Sequence, residues 1–135
     1  MGFDEALETL KAAGVSVVAL QHLLDRAETT HDLSTGALAY TTSISDKWRI
    51  CAVLVHSDVV LPNTTITVKF NSKTGPNYDT KIGELDFDNT KDLAFIGGEN
   101  MHSATFEDGD EATVESSGTD VVGNLYITIL YELLA

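Results

Sequence analysis

The run Trp48-Arg-Ile-Cys-Ala-Val-Leu-Val-His56 constrains this chain more than any other stretch. Read with period two, Trp48, Ile50, Ala52 and Leu54 fall on one face, and Cys51, Val53 and Val55 on the other. Both faces are apolar, so the run predicts a central strand that needs cover on both sides. A second run, Asn124-Leu-Tyr-Ile-Thr-Ile-Leu-Tyr-Glu132, follows a Gly123-Asn124 turn and alternates more simply. It sets Leu125, Ile127, Ile129 and Tyr131 against Tyr126, Thr128, Leu130 and Glu132. Its β-branched and aromatic side chains mark an interior strand with one well-buried side.

Strands of this kind need partners, and the chain supplies them between turn signals. Ala37 to Ile44 alternates, and Thr64 to Phe70 points Ile66, Val68 and Phe70 inward and Thr65, Thr67 and Lys69 outward. Tyr78, Thr80 and Ile82 begin another strand, continued by Leu85 and Phe87, and Leu93 to Ile96 gives a short one. Ala104 to Phe106 and Ala112 to Glu115 flank Glu107-Asp-Gly-Asp-Glu111, where Asp-Gly predicts a hairpin. About eight short strands with turn chemistry between them indicate a mainly β fold, a jelly-roll-like antiparallel β-sandwich.

The N-terminal region reads differently. Phe3, Ala6, Leu7, Leu10 and Ala13 recur at three and four, acidic residues load the first turns, and Gly14 is a natural stop, so residues 3–13 predict a helix. Val15 to Ala27 reads as a second helix, although Val15, Val17 and Val18 also suit a strand. Glu28 to Thr35 is polar and reads as a linker. Residues 1–35 are therefore expected to form an N-terminal helical arm and linker, and residues 36–135 the β-sandwich domain. A short helix is marginal alone and must dock on something. Its stripe, Phe3, Leu7 and Leu10, is the candidate contact with another copy or a partner.

Charge narrows the partners. With 8 basic and 21 acidic residues the chain carries a net charge of −13, which disfavours phosphate backbones and anionic lipid. Neither nucleic acid nor a membrane is expected as a partner. Cys51, the one cysteine, has no intramolecular partner and reads as a small buried hydrophobe. The acidic start Met1-Gly-Phe-Asp-Glu5 is unlike a secretory leader, and no run approaches the ~20 apolar residues of a membrane span. Folding in a reducing cytoplasm is the expectation.

No residue set announces a reaction. Eleven carboxylates and one lysine lie between Glu84 and Asp120, yet their spacing misses the calcium-loop pattern. The tip Glu107 to Glu111 is read as a solvated turn. His22, His31, His56 and His102 are scattered without zinc spacing. Phe106-Glu-Asp-Gly-Asp-Glu-Ala-Thr-Val114 resembles the Gly-Asp turn of cupins, but the histidine pair of metal-binding cupins is missing. An enzyme, a catalytic residue, a metal site and a cofactor are all unexpected. Among the aromatic residues, Trp48, Tyr126 and Tyr131 are assigned to packing, while Tyr78, beside Gly75-Pro-Asn77, is expected to be exposed. Tyr78 and Asn77 are the candidate contacts of a second reading, a carbohydrate-binding or adhesion (fibre) module.

From Trp48 to Leu134 the order of parts resembles small structural proteins of tailed-bacteriophage virions. The likeness runs through Trp48 to Ser57, Thr65 to Phe70, Tyr78-Asp-Thr80, Phe106 to Asp110 and Asn124 to Glu132. It covers about the last two-thirds of the chain in a strand-and-turn pattern. What it implies is a β-sandwich module of a capsid decoration (cement) protein or a fibre. Such a module assembles in the host cytoplasm as a homotrimer, resides in the virion and binds the major capsid protein or another virion protein. The resemblance brings no catalytic residue.

Overall fold

The computed structural model describes residues 24–134. They form nine strands: β1 (Leu24–Asp32), β2 (Ala39–Thr42), β3 (Trp48–Leu61), β4 (Thr64–Asn71), β5 (Thr80–Phe87), β6 (Thr90–Ile96), β7 (Thr105–Phe106), β8 (Glu111–Ser116) and β9 (Asn124–Leu133). Single 3-10 turns occupy Leu33–Thr35 and Pro76–Tyr78. The described chain is thus mainly β, as its alternation predicts. The helix predicted over residues 3–13, with Phe3, Leu7 and Leu10, lies outside the described residues.

Among the described residues the strands form two antiparallel sheets. One runs β1-β9-β3-β6, with β7 also on β3; the other runs β2-β8-β4-β5. Val53, Val55, Ile127 and Ile129 of the first share one core with Ile66, Val68, Ile82 and Val114 of the second. β9 lies in this core as its period-two pattern requires: Leu125 and Ile129 are fully buried and Ile127 nearly so. β4 and β5 form a local hairpin, whereas β1–β2, β2–β3, β3–β4, β5–β6, β7–β8 and β8–β9 each pass between the sheets.

An aromatic cluster ties the sheets together at one end. The Trp48 ring stacks on Phe106 at 4.2 Å, Tyr131 meets Trp48 edge-on at 5.6 Å, and Phe70 of β4 tilts against Phe106 at 4.9 Å. Such pairs add about 0.5–1.5 kcal/mol each beyond area burial. Near the opposite flank β5 comes close to β6, because a Cβ at Gly83 would lie 2.9 Å from Cδ1 of the buried Phe95. Only a residue without a side chain leaves Phe95 its place there.

Three sequence expectations give way here. The segment read as the end of a helix and a linker contains β1, paired with β9 from Leu24↔Glu132 to Asp32↔Asn124. Its polar residues suit a sheet edge, and the regular ladder with β9 supplies the hydrogen bonds that its own composition does not advertise. The Asp108-Gly109 turn is not a hairpin, since β7 pairs with β3 while β8 pairs with β2 and β4. It carries the chain from one sheet to the other. Finally, β3 does not alternate throughout. Its register with β9 slips between Ile50 and Ala52, leaving Cys51 as the extra residue of a bulge. Trp48, Ile50, Val53 and Val55 therefore all reach the shared core, while Ala52 and Leu54 turn to the other face.

Register makes a sharp test. Ile127→Ala should cost about 2–5 kcal/mol, the usual range for a buried isoleucine. Thr128 sits on the opposite face, half-buried, and Thr128→Ala should cost much less. Chemical denaturation of the two variants checks this, because a one-residue slip would exchange the outcomes.

Candidate functional site

The outer face of the β1-β9-β3-β6 sheet carries the most distinctive side-chain arrangement outside the shared core. Strand register lays it out in rows. Arg26, Leu130, Ala52 and Ile96 form one row; Glu28, Thr128, Leu54 and Ala94 form the next. Beyond them lies a polar row of Thr30, Tyr126, His56 and Asp92. On the other flank Leu24 pairs with Glu132, which is itself opposite Arg49. Ala52, Leu54, Ala94, Ile96 and Leu130 thus make a second apolar cluster, joined by Leu24.

Ion pairs bound this cluster. Arg49 donates to Glu132 on one flank, and His56 Nδ1 lies 2.7 Å from Asp92 Oδ1 on the other. The Tyr126 ring sits 6.0 Å from the His56 ring. The cationic partners are about half-exposed and the carboxylates more covered, so each pair contributes at most about 1 kcal/mol and mainly marks where the apolar patch stops. Cys51, in the bulge, is half-buried rather than buried as its sequence context suggests. Burial pushes its thiol pKa up, with Arg49 opposing. The thiol therefore stays protonated at neutral pH and is a weak nucleophile.

A second feature lies at one end of the body. Leu33 N donates to Gly123 O, Asn89 N to Leu61 O and Asn124 N to Asp58 Oδ1, so the end of β3 and the segments around residues 33, 88–89 and 117–123 gather there. Val60, near the end of β3, is 50% exposed, and Val122, in the last of these segments, is 70% exposed. Asp88 and Asp120 are exposed in these segments, and Asp58, near the end of β3, accepts from Asn124 N and Nδ2.

The remaining sequence candidates are dispersed. Tyr78 is 64% exposed in its 3-10 turn, with Asn77 exposed beside it. Trp48 and Tyr131 are packing residues as expected, while Tyr126 is 43% exposed. His31 Nε2 meets Gly36 O at 2.8 Å; its row, His31–Leu125–Ser57, is next to that of His56, with β9 between the two histidine strands. A cleft of about 490 Å³, lined by Lys81, Glu84, Glu99, His102 and Ser103 among others, opens beside Met101. Its Lys81 and Glu84 pair with each other at 3.3 Å.

The acidic turn is held by backbone donors and a lysine. Asp110, only 5% exposed, accepts from Glu107 N and Lys73 N, both at 2.8 Å. Lys73 Nζ donates to Asp108 O at 3.0 Å and lies 3.5 Å from Glu107. Both carboxylate oxygens of Asp110 are thus committed to closing the turn. Reading the sequence for metal spacing passes over this role, which an aspartate after Asp-Gly can fill by bonding back to its own turn. Asp110→Ala should cost about 1–3 kcal/mol by leaving those amides unpaired. Thermal melts should show that loss, and a calcium chelator should leave the melting temperature of the unaltered chain unchanged.

No family model matches this sequence, and comparison with curated proteins finds no match. Among solved structures, one similar backbone is that of Bacillus endospore appendages, described as a family of disulfide-linked pili. The TM-score is 0.46, with 22% identity over 83% of this chain and 88% of that one. Another is the Drosophila NLP core, described in connection with pentamer formation and histone binding, with a TM-score of 0.42 and 14% identity over 79% and 97%. A third comes from the virus-like particle of the Macrobrachium rosenbergii extra small virus, with a TM-score of 0.33 and 13% identity over 90% and 84%. These likenesses concern the path of the backbone.

Proposed function

We propose that this chain is a virion structural protein, a decoration (cement) protein that binds the outside of a tailed-phage head and stabilises it. In this reading the two sheets are a jelly-roll-like β-sandwich acting as a solid block, and three copies assemble on the shell. The observation that carries it is the pair of exposed valines, Val60 and Val122, at the end of the body that also holds the exposed Asp58, Asp88 and Asp120. Scattered exposed valines are ordinary. Two at one end of a chain with net charge −13 form a contact of limited size with a built-in orientation. The valines lose water on docking, and the carboxylates select a basic collar on the major capsid protein or another virion protein and repel wrong partners. Buried area contributes roughly 25 cal/mol per Å² before association costs, so an avid trimer suits a small tip better than a monomer does.

Light scattering of the purified chain should give a trimer mass, and the protein should sediment with emptied shells of the phage that encodes it. The double variant Val60→Asp, Val122→Asp should keep the melting temperature within a few degrees and lose shell binding. A monomer that ignores the shells overturns the reading. The second reading, a carbohydrate-binding or adhesion module, has Tyr78 in its favour, the most exposed of the described tyrosines, with Asn77 beside it. Glycan binding abolished by Tyr78→Ala would select it.

A further inference from the structure

The order of strands leaves four edges, β1 and β6 in one sheet and β2 and β5 in the other, and three of them are blunted. Asn100 lies along β6, its Oδ1 accepting from Ile96 N at 2.7 Å and its Nδ2 donating to Ala94 O at 3.0 Å. The next two residues do the same for β5. Met101 bridges Gly83, and His102 N donates to Ile82 O at 2.7 Å. β2 is only four residues long. β1 is the exception. It runs nine residues, pairs with β9 without a register shift, and contains neither proline nor lysine. Among the described residues no strand lies on its other side. A long, regular edge of this kind is a template for a further strand, because its outward backbone N–H and C=O groups lack a ladder.

We propose that β1 is a self-pairing edge: the β1 strands of two copies lie antiparallel about a two-fold axis at Ala27 and join their sheets into one. Charge chooses both the partner and the register. Ala27 packs against the shared core, so Leu24, Arg26, Glu28 and Thr30 lie together on the outer face. With Ala27 opposite Ala27, Arg26 of each copy stands opposite Glu28 of the other. Asp25 then meets Thr29, and Leu24 meets Thr30, so no like charges oppose one another. Moving the axis one residue either way sets Arg26 against Arg26 or Glu28 against Glu28, which is destabilising. Arg26 and Glu28 lie 3.4 Å apart within one chain, both more than half exposed, and the two-fold contact extends this pair into a group of four alternating charges. Solvated ion pairs hold weakly, so the pairing counts where copies are already held close together. It uses a different surface from the valines, and on the shell of the reading above it ties one trimer to the next.

Disulfide trapping in the full chain tests this, in a background carrying Cys51→Ala and Ala27→Cys. Residues directly opposite in an antiparallel pair have Cα atoms about 4.5–5.5 Å apart, within reach of a disulfide. Oxidised at high protein concentration in about 0.1 M salt, where charges beyond ~10 Å are screened, this chain should form covalent dimers. Adding either Arg26→Glu or Glu28→Arg should slow the reaction about tenfold while the melting temperature stays within a few degrees. Mixing those two variants should restore the rate, because the mixed pair again sets glutamate opposite arginine at both places. A misfolded variant could not be rescued in this way. No dimers from the background chain would overturn the proposal, since the edge would then be covered or idle. Equal rates in every sample would overturn it too, as collision without register. Neither result touches the shell-binding experiment, which depends on Val60 and Val122.

Discussion

The pairing of β3 with β9 is the constraint on which the rest of this structure depends. From Trp48↔Leu133 to Ser57↔Leu125 it joins the two most apolar strands of the chain. Once they lie side by side, every inward side chain from Ile127 to Val55 requires a facing sheet, and β4, β8 and β5 provide it. The bulge at Cys51 sets the division of labour. By absorbing one residue it sends Trp48 and Ile50 to the same side as Val53 and Val55, so a strand too apolar for simple alternation fills the shared core from end to end. What it leaves on the other side, Ala52 and Leu54, is a smaller apolar surface that needs its own cover.

Much of this was legible because period-two patterning is a local consequence of the pleat. The inward rows of β4 and β9 can be read directly from Ile66, Val68, Leu125, Ile127 and Ile129. That β3 needs cover on both sides was legible too, from Leu54 lying one residue from Val53 and Val55. What could not be read depends on partners distant in sequence. β1 is nearly all polar, and its strand state comes from hydrogen bonding to β9 about a hundred residues away, not from its own propensities. The Asp108-Gly109 turn has hairpin chemistry, yet Phe106 stacks on Trp48, holding β7 in one sheet while Asp110 steers the chain into the other. The valine pair carries no sequence pattern, because Val60 at the end of β3 and Val122 in a distant loop share one end of the body only through hydrogen bonds between their segments.

Charge and fold are matched at the level of individual carboxylates. Asp110 closes a turn, Asp58 accepts from Asn124 N at the start of β9, and Asp32 caps a 3-10 turn through Ser34 N. Hydrogen bonds from Ser34 hold the Asp32 carboxyl below its usual range, so its contribution is present at neutral pH and lost as pH falls through that lowered value. An acidic composition that disfavours anionic partners therefore also does local structural work, with negative charge placed where backbone amides would otherwise lack acceptors. Lys73 and Lys69, paired with Glu107 and Glu115, are spent on the same surface.

Two apolar surfaces outside the shared core therefore differ in kind. The outer-face patch is broad, nearly free of solvent and framed by the Arg49–Glu132 and His56–Asp92 pairs. The valine pair is solvated and lies at the end of the body where Asp58 holds the start of β9. The driving force for any association resides in apolar area still wet, and the two valines supply it at the end of the body. They lie beyond the ladder from Trp48 to Ser57 that holds the two most apolar strands together, so a partner can meet them without disturbing it.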